Sequence, residues 1–156
     1  MPGGRRKTIT KYLVISILIF DQLTKYLVSH TIPQGESIPV IKDIFHLTFI
    51  LNRGVAFGMF KNQTPFLIIT SIIAIIFIVL NLRYRRARRY EIALYLILSG
   101  AISNLIDRIR FEAVIDFLDF RIWPVFNIAD SAITIGAVLL AYDLLIKKSN
   151  DKKKNQ

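Results

Sequence analysis

A chain of 156 residues has room for one domain. At 53% apolar residues and a mean hydropathy of +0.47 it is richer in apolar groups than soluble domains, which hold about 45–50%. The lack of cysteine excludes disulfides, thiolate metal sites, a cysteine nucleophile and lipidation of the chain itself.

The apolar residues fall into four blocks: Tyr12–Val28, Pro65–Leu82, Tyr90–Ile109 and Val125–Ile146. A bilayer span needs roughly 17–25 mostly apolar residues, so all four are predicted to cross. Arg5, Arg6, Lys7 and Lys11 precede the first block. Basic-then-apolar order also marks signal peptides, but this run is too long and no small-residue cleavage site follows it, so a retained helix is expected. The first outer segment, about 31–62, holds turn signals at Gln34-Gly35 and Asn52-Arg53-Gly54. Between them Ile44-Phe45-His46-Leu47-Thr48-Phe49-Ile50-Leu51 is rich in β-branched and aromatic residues, which predicts a small strand pair or curved sheet at the membrane surface. Arg83, Arg85, Arg86, Arg88 and Arg89 separate spans two and three, and Lys147, Lys148, Lys152, Lys153 and Lys154 follow span four. Between spans three and four, Arg110–Pro124 carries Phe111, Phe117, Leu118, Phe120 and Trp123, suited to the headgroup zone. Asn150–Gln156 reads as a disordered polar tail within a basic cytoplasmic end, 147–156.

The net charge of +10 would suit nucleic acid, but its placement argues for a membrane. The three basic clusters all lie on one side of a four-span frame, as cytoplasmic loops do, where they attract anionic lipid. Both termini are therefore expected in the cytoplasm. The fold class is all-α integral membrane, with four transmembrane helices and a small β element in the first outer loop, as a single polytopic domain over 1–156.

Polar groups inside spans are costly and mark function by default. In span one Asp21 and Lys25 stand at i and i+4, an order that favours an intrahelical ion pair. In span three Gly100, Asn104, Asp107 and Arg108 share a face, as do Asn127, Asp130, Ser131 and Thr134 in span four. Asp130 lies about 7 Å below the outer end at 1.5 Å per residue. Gly100 permits close approach of a neighbouring helix. Plain structural roles are available too: Asp21 and Lys25 neutralise each other, and Asp107 and Arg108 mark a helix end. Yet three helices present polar groups at one depth, which predicts a polar pocket open to the outer surface.

His30 and His46 lie in the first outer loop, where surface or packing roles suit them. The remaining candidates are Asp21, Asp107, Asp116, Asp119 and Asp130. Two converging carboxylates share one proton, so that one activates water while the other polarises a carbonyl. Asp116 and Asp130, on different elements, form the best pair. Asp107 stands beside Arg108 and suits an ion pair, and Asp119 is the weaker rival to Asp116.

The stretches Asp21-Gln22-Leu23-Thr24-Lys25, Asn52-Arg53-Gly54-Val55-Ala56-Phe57, Gly100 through Arg108, Val114-Ile115-Asp116-Phe117 and Phe126 through Ser131 stand in the order and spacing of one family. The chain resembles the bacterial lipoprotein signal peptidases (signal peptidase II). The resemblance implies a membrane-embedded aspartic endopeptidase with Asp116 and Asp130 catalytic. It implies that Asn52 and Gly54 lie in a loop closing over substrate, and that Asp21, Lys25, Gly100, Asn104, Asp107, Arg108 and Asn127 line and order the pocket. The substrate would be a diacylglyceryl-modified prolipoprotein, cut on the amino side of the lipidated cysteine, at the outer face of the bacterial cytoplasmic membrane. No metal or organic cofactor is implied, nor a nucleic-acid partner. Membrane lipid, inhibition by globomycin-type cyclic peptides and a monomer are. Val55 and Ser103 depart from the family's commoner Ala and Gly. Two alternatives stand beside this reading: a metal-dependent lipid headgroup transferase or phosphatase, and a proton-coupled transporter.

Overall fold

The computed structural model of the chain describes residues 3–54, 63–84 and 87–154, with side chains over 12–54, 63–84 and 87–145. Four helices and three strands follow in the order α1 (Gly3–Thr31), β1 (Ser37–Ile41), β2 (Phe45–Asn52), α2 (Thr64–Asn81), α3 (Arg88–Phe111), β3 (Val114–Asp119) and α4 (Ile128–Lys154). Each helix contains a segment long and apolar enough to cross a membrane. Their outward faces carry Ile69, Ile73 and Phe77 on α2 and Ile135, Val138 and Leu145 on α4, all exposed. A bilayer is the solvent that such faces need, and the chain is a multi-pass membrane protein.

α3 is the central helix, packed against α1, α2 and α4. Two glycines set the α3–α4 distance. A Cβ on Gly100 would strike the Ala129 carbonyl and come within 2.7 Å of Ile133, and one on Gly136 would meet the Ala93 carbonyl at 2.7 Å. α2 starts with Pro65 in its first turn, where a missing N–H costs nothing. α3 stops at Glu112, whose left-handed φ of 55° closes the helix through its N–H to the Arg108 carbonyl.

The three strands make one antiparallel sheet in the order β1-β2-β3. The strand pair expected between residues 31 and 62 is present as β1 and β2, and residues 55–62 lie outside the described part. β3 was not expected. It comes from the second inter-helix segment and pairs with β2 from His46↔Asp119 to Asn52↔Val114. Val28 of α1 and Ile32 just after it pack with Phe49, Ile115 and Phe117 and so fasten the sheet to one end of the bundle. Phe117 is therefore buried and Leu118 packs beside it, rather than facing headgroups, whereas Phe111, Phe120 and Trp123 are exposed.

Three boundaries differ from expectation. Val125, Phe126 and Asn127 precede α4, because residues 124–127 run alongside β3 through the Phe126–Leu118 pairing. α4 continues to Lys154, so residues 150–154 are helical rather than a disordered tail, as lysine-rich sequence readily permits. α1 likewise begins at Gly3, nine residues before its apolar block.

Replacing a mid-helix glycine by alanine ordinarily favours the helix. Gly100→Ala is expected to do the opposite, lowering stability by about 1–3 kcal/mol because Ala129 backbone must give way. Thermal unfolding in detergent measures it.

Candidate active site

The polar groups of the bundle collect at the end that carries the sheet. At their centre is Lys25, 1% exposed. An ammonium has three N–H donors, and each has a partner: Asp21 Oδ2 at 2.7 Å, Asp107 Oδ2 at 2.8 Å and Asn104 Oδ1 at 3.0 Å. The two carboxylates are satisfied in turn. Asp21 accepts from the Ser103 hydroxyl at 2.6 Å and from the Ala129 N–H at 2.8 Å. Asp107 accepts from Gln22 Nε2 at 2.8 Å and from the Ile115 N–H at 3.2 Å. One lysine thus joins α1 to α3, and through its carboxylates to β3 and α4.

Asp107 pairs with Lys25, not with Arg108 as expected from adjacency. Neighbours in a helix point about 100° apart, whereas Lys25 reaches Asp107 from the facing helix. Asp21, Lys25, Gly100, Asp107 and Asn127 are buried behind the pocket wall and do not line it.

The lining belongs to a cavity of about 1080 Å³ between the sheet, α3 and α4. Its polar lining includes Asn52, Gly54, Asn104, Arg108, Asp116 and Asp130, with Arg53, Ser131 and Thr134 beside them. Its remaining wall is apolar and includes Trp123, Phe126 and Ile133. Neither histidine lines it. Asp119 does not either, being three residues beyond Asp116 on a strand, a spacing that turns it to the other face.

Asp116 and Asp130 enter from β3 and from the first turn of α4. Asn127 is not within span four. It caps α4, its Oδ1 accepting the Asp130 N–H at 2.8 Å while its own N–H reaches Asp130 Oδ2 at 3.4 Å. This is a capping box with aspartate in the third helical position, so Asp130 sits at the mouth of the helix and not a turn below it. Asn127 Nδ2 donates to Asp116 Oδ1 at 2.7 Å, which places one asparagine between the two carboxylates.

Three asparagines hold the pair, and each has its amide orientation fixed from behind. Asn104 Oδ1 accepts from Lys25, leaving Nδ2 to donate to Asp130 Oδ1 at 2.7 Å. Asn52 Oδ1 accepts from the Gly54 N–H at 3.0 Å, leaving Nδ2 to donate to Asp116 Oδ2 at 2.9 Å. Asn127 Oδ1 is held by the Asp130 N–H, as above. An amide presents either oxygen or NH₂ to a neighbour, and here all three present NH₂ to a carboxylate. Burial and then the nearby Asp130 push the Asp116 carboxyl up to about 7, against the bonds from Asn52 and Asn127 and the charge of Lys25.

The model described as Signal peptidase (SPase) II matches residues 13–146. The chain belongs to the signal peptidase II family. Members most similar to it include the lipoprotein signal peptidase of Halothermothrix orenii, 46% identical over 129 residues, which are 82% of this chain and 89% of that protein. The lipoprotein signal peptidase of Brevibacillus brevis is 43% identical over 150 residues, 93% of this chain and 98% of that one. A bacterial membrane enzyme solved by the in meso method superposes with a TM-score of 0.87 at 34% identity, covering 92% of this chain and 91% of that chain. Signal peptidase II membership makes the chain a peptidase, and the site above is where its hydrolytic groups are to be sought.

Sequence reasoning passed over Gln22 and noted Ser103 only as a departure from the family's commoner Gly. Gln22 binds both Ser103 Oγ, at 3.0 Å, and Asp107. Ser103 adds a bond to Asp21 that a glycine there cannot make. The signal was available in the i, i+4 spacing of Ser103 and Asp107. Val55, Ala56 and Phe57 of the second matching stretch lie outside the described residues.

Lys25→Met keeps the length of the side chain and removes its charge. It is expected to cost about 3–5 kcal/mol, because Asp21 and Asp107 lose their shared cation. Unfolding monitored in detergent would show it, and Asp107→Asn in the same background should recover part of the loss.

Proposed function

We propose that this signal peptidase II is an aspartic endopeptidase acting on diacylglyceryl-modified prolipoproteins, cutting on the amino side of the lipidated cysteine, with Asp116 and Asp130 as its catalytic pair. The observation that carries the reading is the convergence of these two carboxylates, from separate elements, on one cavity with Asn127 bonded to both. The relatives are lipoprotein signal peptidases, and that supports the substrate class.

Asp116 is 2% exposed and holds the shared proton below about pH 7. Asp130, more open to the cavity, takes a proton from water as the water oxygen attacks the scissile carbonyl carbon. Asp116 donates its hydrogen bond to the carbonyl oxygen. When the tetrahedral species collapses, the C–N bond breaks and the leaving amine takes up the proton. Asn127 Nδ2 is engaged by Asp116, Asn104 and the Ile115 carbonyl, whereas Arg108 on the cavity wall carries a fixed positive charge that can face the developing oxyanion. Asn52 and Gly54 form the edge under which the substrate backbone would lie.

The basic clusters support a bacterial cytoplasmic membrane location with both termini in the cytoplasm and the site near the outer face. A cyclic peptide of the globomycin type would compete for the same cavity. One chain supplies every group used here, which supports a monomer. The alternatives have nothing in their favour. Among the described residues no three His, Asp or Glu side chains group to hold an ion. Asp143, near the inner end of the fourth apolar span, pairs with Arg89 at 3.7 Å and continues no polar track.

Asp116→Asn and Asp130→Asn are each expected to lower turnover about a thousandfold or more with folding retained. A gel-shift cleavage assay on a lipidated precursor, run with chelator present, measures this; near wild-type turnover in either variant would reject the pair. The pH profile has a definite sign. Asp116 loses its proton as pH rises through about 7, so kcat/KM, which reports the free enzyme, should fall as pH rises above that value.

A further inference from the structure

The segment joining β3 to α4 forms the apolar lip of the cavity, with Ile122 95% exposed and Trp123 61% exposed at its tip. A side chain as open as Ile122 gains little from packing, so the backbone that carries it must set its direction. The base of the segment is closed by backbone bonds between Leu118 and Phe126. The tip turns at Arg121, a non-glycine residue with φ of 65°, followed by a tight bond from the Ile122 N–H to the Phe120 carbonyl at 2.7 Å. A left-handed residue with a side chain persists only where neighbours hold it.

The holding group is Asp119, 5% exposed. Its Oδ1 accepts the Arg121 N–H at 2.8 Å, and its Oδ2 accepts Arg121 Nη1 at 2.9 Å and the Thr48 hydroxyl at 2.8 Å. Burial raises its pKa, but these bonds outweigh that and hold the carboxyl below the usual range. Behind Thr48, the Ser37 hydroxyl lies 2.9 Å away, and His46 Nδ1 lies 3.0 Å beyond that. Each hydroxyl has one proton, and an ionised Asp119 can only accept. Thr48 therefore donates to Asp119, Ser37 to Thr48, and His46 Nδ1–H to Ser37. A one-way chain across all three strands ends on the turn that carries the lip.

We propose that Asp119 is a positioning residue that sets the Arg121 turn, and that the Ile122–Trp123 lip it holds binds an apolar chain of the substrate. The inference rests on the peptidase reading, but its test does not stand or fall with it. The chemistry recognised is a hydrocarbon chain, from either the acyl groups or the apolar residues of the signal peptide before the cleavage site.

The test compares wild type, Asp119→Asn, Ile122→Ser and the double variant on lipidated precursors. Asn keeps an oxygen for the Arg121 N–H but cannot accept from Thr48 and Arg121 Nη1 as well. Each single variant is expected to raise KM roughly fivefold to tenfold with kcat within about twofold. The double variant should be little worse than either, since both act through one lip. Precursors with short acyl chains, or with serine replacing the apolar residues before the cysteine, show which chain is bound: the KM penalty shrinks with the substrate lacking it. Ile122 is so exposed that Ile122→Ser should fold whatever happens to Asp119→Asn. Trp123 is the single tryptophan, so its fluorescence anisotropy reports the lip without catalysis and should fall in Asp119→Asn. An unchanged KM, additive penalties, a penalty indifferent to both substrates, or unchanged anisotropy would overturn the proposal. Failure of wild type to cleave would instead reject the peptidase reading, while the anisotropy still tested the clasp.

Discussion

A single buried cation organises this protein. Lys25 is taken out of water among three helices, at a cost that only complete pairing offsets. Its three N–H bonds go to Asp21, Asp107 and Asn104, and the carboxylates, besides accepting from Ser103 and Gln22, accept the backbone N–H groups of Ala129 and Ile115. Those two backbone positions flank the residues proposed to react: Ala129 precedes Asp130, and Ile115 precedes Asp116. The lysine therefore fixes where α4 begins and where β3 leaves α3. Gly100 serves the same end by letting α4 lie against α3 at Ala129.

The second consequence is directional. Lys25 also binds the oxygen of Asn104, which turns that amide's NH₂ toward Asp130. Asn52 and Asn127 are oriented in the same sense by backbone N–H groups. Each anchor is a donor N–H to the amide oxygen, so the NH₂ groups point at the carboxylates whichever of them carries the proton. A pair of acids in so dry a place would otherwise rotate and bond to each other. Three fixed amides keep them apart and pointed into the cavity, which is preorganisation of the kind that hydrolysis of an amide requires.

Much of this is legible in the sequence, for physical reasons that differ from residue to residue. Apolar blocks of bilayer length and one-sided basic clusters specify four spans without reference to any partner. Asp21, Lys25, Asn104, Asp107 and Asp130 stand out because charge inside a span is costly. Their pairing is not legible, because it depends on which helix faces which, and adjacency wrongly suggests Arg108 for Asp107. Asn127 reads as part of a helix from the apolar run around it, yet the Phe126–Leu118 pairing delays the helix to Ile128 and makes Asn127 its cap. β3 is hidden because a six-residue strand beside a helix end, in an aromatic-rich segment, looks like headgroup-facing loop. Asp119 reads as a spare carboxylate until its bonds to Arg121 and Thr48 are seen.

The central claim is that below about pH 7 the pair carries one proton and that Asp116 holds it. Infrared difference spectroscopy of the carboxyl C=O band reads this directly, in wild type and in Asp116→Asn at a pH about one unit below the Asp116 value of about 7. The account predicts one protonated-carboxyl band in wild type that disappears on the substitution. A wild-type spectrum with no such band, or one whose band survives in Asp116→Asn, would contradict it.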